Sequence, residues 1–226
     1  MRNIESLQNK DALRNKDALR DKEILQRLEA MGQPYLPHFA AEYALISAGL
    51  SPARMMHSLG VAATAARLAE RFGADPEKAY LAGLCHDAAK ELPAEEMREL
   101  LLRSPMGSDA DVLAHKSLWH APAGSVWLAD RQGDFPQLDA GIQDACLWHT
   151  LGKPAMKPLE QIVFIADLIE PGRDFPDLAE IRAAAEISLL HGMAACMNGV
   201  IRFLEIRNQF VHPLAYAGYD YYKKQL

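Results

Sequence analysis

The apolar residues of this chain recur at helical spacing, with prolines and glycines between the runs, and that pattern predicts an all-α fold. Ser51-Pro52 marks one helix start: a hydroxyl that can accept from the first turn, then a proline where its missing N–H costs nothing. From there ARMMHSLGVAATAARLAERF runs to Gly73, with Met56, Val61, Ala65, Leu68 and Phe72 mostly three or four residues apart on one amphipathic face. Asp75-Pro76 repeats the start signal, and KAYLAGLCHDAAKEL is the next predicted helix. Pro93 opens a shorter, more charged one, and residues 105–111 read as a loop. Helix is expected again from at least Pro122, then through Leu138, Ile142, Ala145 and His149 to a stop at Gly152. LEQIVFIADLIE forms another helix, stopped by Pro171, and a last long tract runs from Leu178 to Phe210 with weak points at Gly192 and Gly199. No segment alternates as a strand between hairpin turns.

With 226 residues, half of them hydrophobic, the chain can bury one sizeable core without disulfides. Cys85, Cys146 and Cys196 are widely spaced, odd in number and set in apolar helical segments, so they read as core residues of a reducing compartment. The start, MRNIESLQNKDALRNKD, is charged throughout and has no apolar run fit for a signal peptide or membrane span, so a cytoplasmic location is expected. Residues 1–46 are read as an extension carrying a helical arm and residues 47–226 as the main domain. The arm holds a perfect repeat, NKDALR at 9–14 and again at 15–20. Its six-residue period turns Leu13 and Leu19 about 120° apart, which suits a solvated arm or a partner-binding helix, or else disorder or a duplication without consequence. A net charge of −6 argues against broad nucleic-acid binding but leaves room for a phosphorylated small substrate held by metals and a few local bases.

Asp167 is the most informative position. It lies in IVFIADLI, apolar nearly all round, where an ionised carboxylate must either pair with an Arg or Lys of another helix or bind metal. His86 and Asp87 are adjacent in the helix predicted after Asp75-Pro76, and with His57 upstream and Asp167 downstream they complete the order H…HD…D. His120, in LWHAP, and His149, beside Trp148, form a second pair; each alone would be read as a core histidine, but six candidate ligands in separate helices point to one site. Imidazole and carboxylate donors without thiolates suit Fe, Mn, Zn, Co or Ni, and a shared carboxylate can bridge two ions about 3.5–4 Å apart. Lys90 follows His86 by one turn and can offset charge on a phosphoryl group. Arg54 and Arg173 could contact phosphate or lie on the surface, and Glu170 could accept a hydrogen bond from a ligand histidine. Trp119 and Trp148 could border a substrate or simply pack, while His38, His115, His191 and His212 are assigned to core or surface. Walker-type, GxGxxG, GxSxG, HExxH and CxxC motifs are absent.

HSLGV from His57, CHDAAK ending at Lys90, LWHAPAG from Leu118, WHTLGKPAM from Trp148 and IADLIEPGRDFP from Ile165 stand in the order and style of the YqeK family, which the chain resembles from about Ser51 to His212. Members of that family are HD-superfamily hydrolases that cut dinucleoside tetraphosphates symmetrically. The resemblance implies an HD-type helical domain in which His57, His86, Asp87 and Asp167 hold a first metal, with Asp87 bridging to a second completed by His120 and His149. It implies two divalent or mixed-valent ions, iron foremost, with Asp87 and Lys90 catalytic, Lys90 and Arg173 near the phosphates, diadenosine tetraphosphate as substrate and two ADP as products. It also allows a homodimer. The arm before residue 46 and the tail LAYAGYDYYKKQL depart from the family pattern, so nucleoside preference is where the transfer is weakest. Two alternatives stand beside it: another HD-type nucleotide phosphohydrolase or nucleotidase, and a non-catalytic metal-containing nucleotide sensor.

Overall fold

The computed structural model describes Gln33 and residues 35–226; the NKDALR repeat lies outside the described residues. Among the described residues there is no strand. A single 3-10 turn at Leu36–Phe39 leads into α1 (Ala40–Ser47), followed by α2 (Pro52–Phe72), α3 (Pro76–Cys85), α4 (Ala94–Arg103) and the one-turn α5 (Ala110–Ala114). A second 3-10 turn at Lys116–Leu118 precedes α6 (His120–Ala129), α7 (Ala140–Trp148), α8 (Pro158–Ile169), α9 (Leu178–Ile187), α10 (Leu189–Ile206) and α11 (Pro213–Lys223).

The start signals act as the sequence implies. The Ser51 hydroxyl accepts from the Arg54 N–H and the Asp75 carboxylate from the Lys78 N–H, each with proline at the next position. α2 ends at Gly73, whose φ of +71° is the left-handed cap that glycine adopts without strain.

The long α2 is the shared wall of two cores. Ala62 and Ala66 face one core with Tyr80, Leu84, Leu128 and Ile142. Val61, Ala65 and Leu68 face the other with Ile165, Met193 and Met197. An alanine-rich helix suits this middle position because both neighbours must come close. A methyl group placed on Gly83 of α3 would sit 2.8 Å from the Ala62 Cα, so the α2–α3 crossing has no space for one. Phe39 and Ile46, ahead of α2, are buried in the first core. All three cysteines are buried and free.

Several boundaries differ from the sequence reading. The third helix stops at Cys85, and the chain then tightens: the N–H groups of Ala88, Lys90 and Leu92 donate to carbonyls three residues back, to Cys85, Asp87 and Ala89. The tract from Leu178 breaks at Ser188, which is extended and caps α10 through its hydroxyl, and not at either glycine. Gly192 and Gly199 are instead close-packing points, where added methyls would lie 2.8 Å and 2.9 Å from Ile165 and Ile181. α7 ends at Trp148, one residue before His149 and ahead of Gly152. Near the C-terminus, α11 is capped by the His212 ring and tied to the second core, where the buried Tyr222 hydroxyl accepts from the Met156 N–H at 2.9 Å.

α10 is long and apolar enough to cross a membrane by composition, yet Met193, Cys196 and Met197 on it are core residues packed with α8.

Candidate metal centre

Helix ends aim the six candidate ligands at one point. His57 stands in the second turn of α2, His86 and Asp87 in the tight turns after α3, His120 at the start of α6, His149 just past α7 and Asp167 in the last turn of α8. Successive residues in these turns point about 100–120° apart, so His86 and Asp87 serve one centre because it lies in the angle between them.

Each imidazole is oriented from behind. The Nδ1 atoms of His86 and His149 lie 2.7 Å from the carbonyls of Gly83 and Cys146, and that of His120 lies 3.0 Å from the Ser117 carbonyl. His57 Nδ1 lies 3.1 Å from the Glu170 carboxylate. Acceptors behind every ring assign the proton to Nδ1, which leaves four Nε2 lone pairs facing inward.

Asp87 divides its carboxylate among them. Its Oδ2 lies 3.5 Å from His86 Nε2 and 4.0 Å from His57 Nε2, while its Oδ1 lies 3.5 Å from both His120 Nε2 and His149 Nε2. On the first side, Asp167 Oδ1 is 3.0 Å from His57 Nε2 and 3.7 Å from His86 Nε2. The donor atoms form overlapping groups: His57, His86 and Asp87; Asp87, His120 and His149; and His86, His149 and Asp167. His86 Nε2 and Asp87 Oδ1 are buried without a hydrogen-bond partner. A buried acceptor left unpaired costs about 1–3 kcal/mol, and inward-facing acceptors repel one another unless a cation joins them. The residues therefore fit a pair of metal ions that share Asp87.

Three side-chain cations reach the same carboxylates. Arg54 Nη1 is 2.8 Å from Asp87 Oδ2, Lys90 Nζ is 3.9 Å from Asp87 Oδ1 and 2.9 Å from His120 Nε2, and Arg173 pairs with Asp167. Asp167 thus pairs with a guanidinium from the loop after its own helix, and not from another helix, while facing the imidazoles of His57 and His86. Burial disfavours its charge and that of Asp87, but Arg173 and His57 hold Asp167, and His86, His149 and Lys90 hold Asp87, well below the usual carboxylate range. Burial pushes His86 down to about 3 and His120 well below the ordinary imidazole value, Lys90 adding to the latter. For His57, burial is outweighed by Asp167 and Glu170, and its pKa rises. Burial lowers that of Lys90 against the pull of Asp87. Metal affinity at such a site depends on pH, because an ion competes with the His57 proton.

The cluster opens into a cavity of about 860 Å³ whose walls include Arg54, Asp87, Lys90, His120, His149 and Asp167. A smaller one of about 380 Å³ meets His57 and Glu170, and Arg54 and Arg173 line both. Trp119 and Trp148 line neither cavity: the Trp119 indole donates to the Val112 carbonyl, and Trp148 packs against the cores. Thr150 escaped the sequence reading. Its hydroxyl lies 2.9 Å from His120 Nε2 and 3.1 Å from His149 Nε2, and adjacency to His149 was the only signal of it.

The HD domain family matches residues 54–172, a span that holds all six candidate ligands, and the fold and site are those of a metal-dependent hydrolase of that superfamily. A symmetrical bis(5'-nucleosyl)-tetraphosphatase of Bacillus subtilis (strain 168) is 40% identical over 179 residues, covering 79% of this chain and 94% of the relative. A protein of the same description from Halalkalibacterium halodurans is 37% identical over 177 residues, covering 78% and 92%. The crystal structure of a predicted HD superfamily hydrolase involved in NAD metabolism from Clostridium acetobutylicum superposes with a TM-score of 0.76 at 32% identity, over 83% of this chain and 98% of that one. The chain belongs to the HD superfamily and, within it, to the YqeK-like family of these tetraphosphatases.

Proposed function

We propose that the protein hydrolyses diadenosine tetraphosphate and related dinucleoside tetraphosphates symmetrically, releasing two nucleoside diphosphates. The substrate class rests on kinship with the tetraphosphatases. The observation that carries the reaction is Asp87, which offers one oxygen to His57 and His86 and the other to His120 and His149 at the wall of a cavity edged by three cations. Bound there, a metal pair supplies an activated water and polarises the phosphoryl oxygens under attack.

The side chains do the rest. His57, His86, Asp87 and Asp167 hold one ion, and Asp87, His120 and His149 the other. Lys90 and Arg173, with Arg54 beside them, spread charge away from the tetraphosphate bridge as the reaction proceeds. Water oxygen joins one of the two inner phosphorus atoms, the bond from that phosphorus to the central bridging oxygen breaks, and the oxygen leaves with the second nucleoside diphosphate. Because Arg54 and Arg173 line both cavities, the inner phosphates can rest at the cluster with one nucleoside on either side. Iron is the leading metal, with Mn, Co, Ni or Zn admitted by the same donors. The buried free cysteines support a reducing compartment, the cytoplasm.

The test is anaerobic turnover of diadenosine tetraphosphate with added Fe or Mn, products separated by chromatography, and Asp87→Asn as control. Two ADP per substrate, lost in the control, supports the proposal; AMP plus ATP overturns symmetric cleavage.

A further inference from the structure

The cavity extends beyond the cluster into a lobe that the phosphate chemistry does not use. Its far wall is the turn between α10 and α11, where Gln209, Phe210 and His212 line the cavity together with His115. This turn is built. α10 closes with Asn208 in the left-handed conformation, φ +51°, and the Gln209 N–H donates to the Leu204 carbonyl at 2.8 Å, a C-cap that reverses the chain toward the cavity.

The rings on that wall are locked together. His115 and Phe210 stack face to face, centroids 3.9 Å apart and planes 8° from parallel, and the His212 ring meets Phe210 edge-on at 6.2 Å. Each flanking histidine is anchored: His115 Nδ1 lies 2.8 Å from the Asp111 carbonyl, and buried His212 Nε2 lies 3.3 Å from Asp109 while its Nδ1 caps α11. Of the nearby Asp109, Asp111 and His212 grouping, His212 and Asp109 are thus paired with each other, and Asp109 also caps α5. Phe210 nevertheless keeps 37% of its surface exposed. Its ring is held in a fixed plane by these contacts and lines the same cavity as the metal cluster.

Position makes it useful. His115 precedes His120 by five residues, with the 3-10 turn Lys116–Leu118 between them, and the stacked pair lines the same cavity as the cluster. A nucleotide whose phosphates rest at the cluster can therefore extend its base toward the pair. Gln209 and Asn208 also line the lobe, and their side-chain amides can pair with the edge of a purine as they do with adenine in other settings.

Resting on the proposed tetraphosphatase reading, we infer that Phe210, braced by His115 and His212, is the platform on which one nucleobase of the substrate stacks, with the Gln209 amide reading its edge. The test is titration calorimetry on the metal-loaded protein with ADP, with inosine diphosphate and with pyrophosphate as the base-free probe, comparing wild type with Phe210→Ala, Phe210→Trp and Gln209→Ala. Base stacking predicts about tenfold or more weaker ADP binding in Phe210→Ala, near-wild-type ADP binding in Phe210→Trp, and pyrophosphate affinity within twofold in both. Gln209→Ala narrows the preference for ADP over inosine diphosphate. ADP binding that is unchanged in Phe210→Ala, or weakened in step with pyrophosphate, overturns the inference. Wild-type protein that turns over no dinucleoside tetraphosphate would sink the tetraphosphatase reading alone, since the difference between ADP and pyrophosphate reads the platform without turnover.

Discussion

Glu170 touches no inward-facing ligand atom, yet it should control the first half of the centre. It is buried, and its carboxylate faces His57 Nδ1 at 3.1 Å on one side and accepts from the Gly172 N–H on the other. Both neighbours are donors, so a carboxylate satisfies them and an amide cannot. In Glu170→Gln, the amide oxygen can serve His57 while its NH₂ meets the Gly172 N–H. In the flipped orientation the NH₂ meets Nδ1 and drives the proton to Nε2, where it blocks ligation. Loss of such an orienting partner costs about 10- to 100-fold in metal affinity, or about 1.4–2.7 kcal/mol. Gly60→Ala reaches the same carboxylate from α2, because the new methyl would lie 2.6 Å from Glu170 Oε2. Chelator-competition titrations of both variants should show weaker metal retention, with turnover partly restored by excess metal. Wild-type metal affinity in Glu170→Gln would show that Glu170 does not orient His57 for ligation.

Metal-free protein should lose stability steeply in mild acid. His86 and His120 resist protonation in the fold, whereas in the unfolded chain they charge below about 6.5. Between pH 6 and 5 the unfolded state therefore holds nearly two more protons, and stability falls by about 2.4 kcal/mol over that unit. The raised His57 pKa adds stability that is complete below about 6.5 and fades only as pH rises through its folded value, while the depressed Asp87 and Asp167 lose theirs only below about 4. Urea midpoints of chelator-treated protein at the two pH values check the slope, and equal midpoints contradict it. Gly83→Ala should destabilise by about 1–3 kcal/mol, because the methyl meets the α2 backbone, and should also displace the carbonyl that orients His86; thermal denaturation reads the first effect and metal content the second. Tyr222→Phe leaves the Met156 N–H without its partner and should cost about 1–3 kcal/mol by urea denaturation with turnover preserved.

Much of this site was legible because helices announce themselves locally. Caps at Ser51 and Asp75, and the carboxylate of Asp167 set in an apolar run, are signals contained within one segment. Glu170 was legible for the same reason, lying three residues past Asp167 at a helix end. The conformation of His86-Asp87 was not: the segment is alanine-rich and reads as helix, but His86 Nδ1 takes the Gly83 carbonyl and the backbone tightens to three-residue hydrogen bonds. The break at Ser188 was hidden by two glycines whose role is close contact with other helices. The pairing of His115 with Phe210, and of His212 with Asp109, joins residues about a hundred positions apart, and periodicity holds no record of it.

Whether Asp87 serves two ions at once is read from metal content per chain in anaerobically purified protein, set against Asp87→Asn. Two equivalents are expected in the wild type, and one or fewer in the variant with turnover lost. A fully active wild-type protein holding a single ion would contradict that shared role.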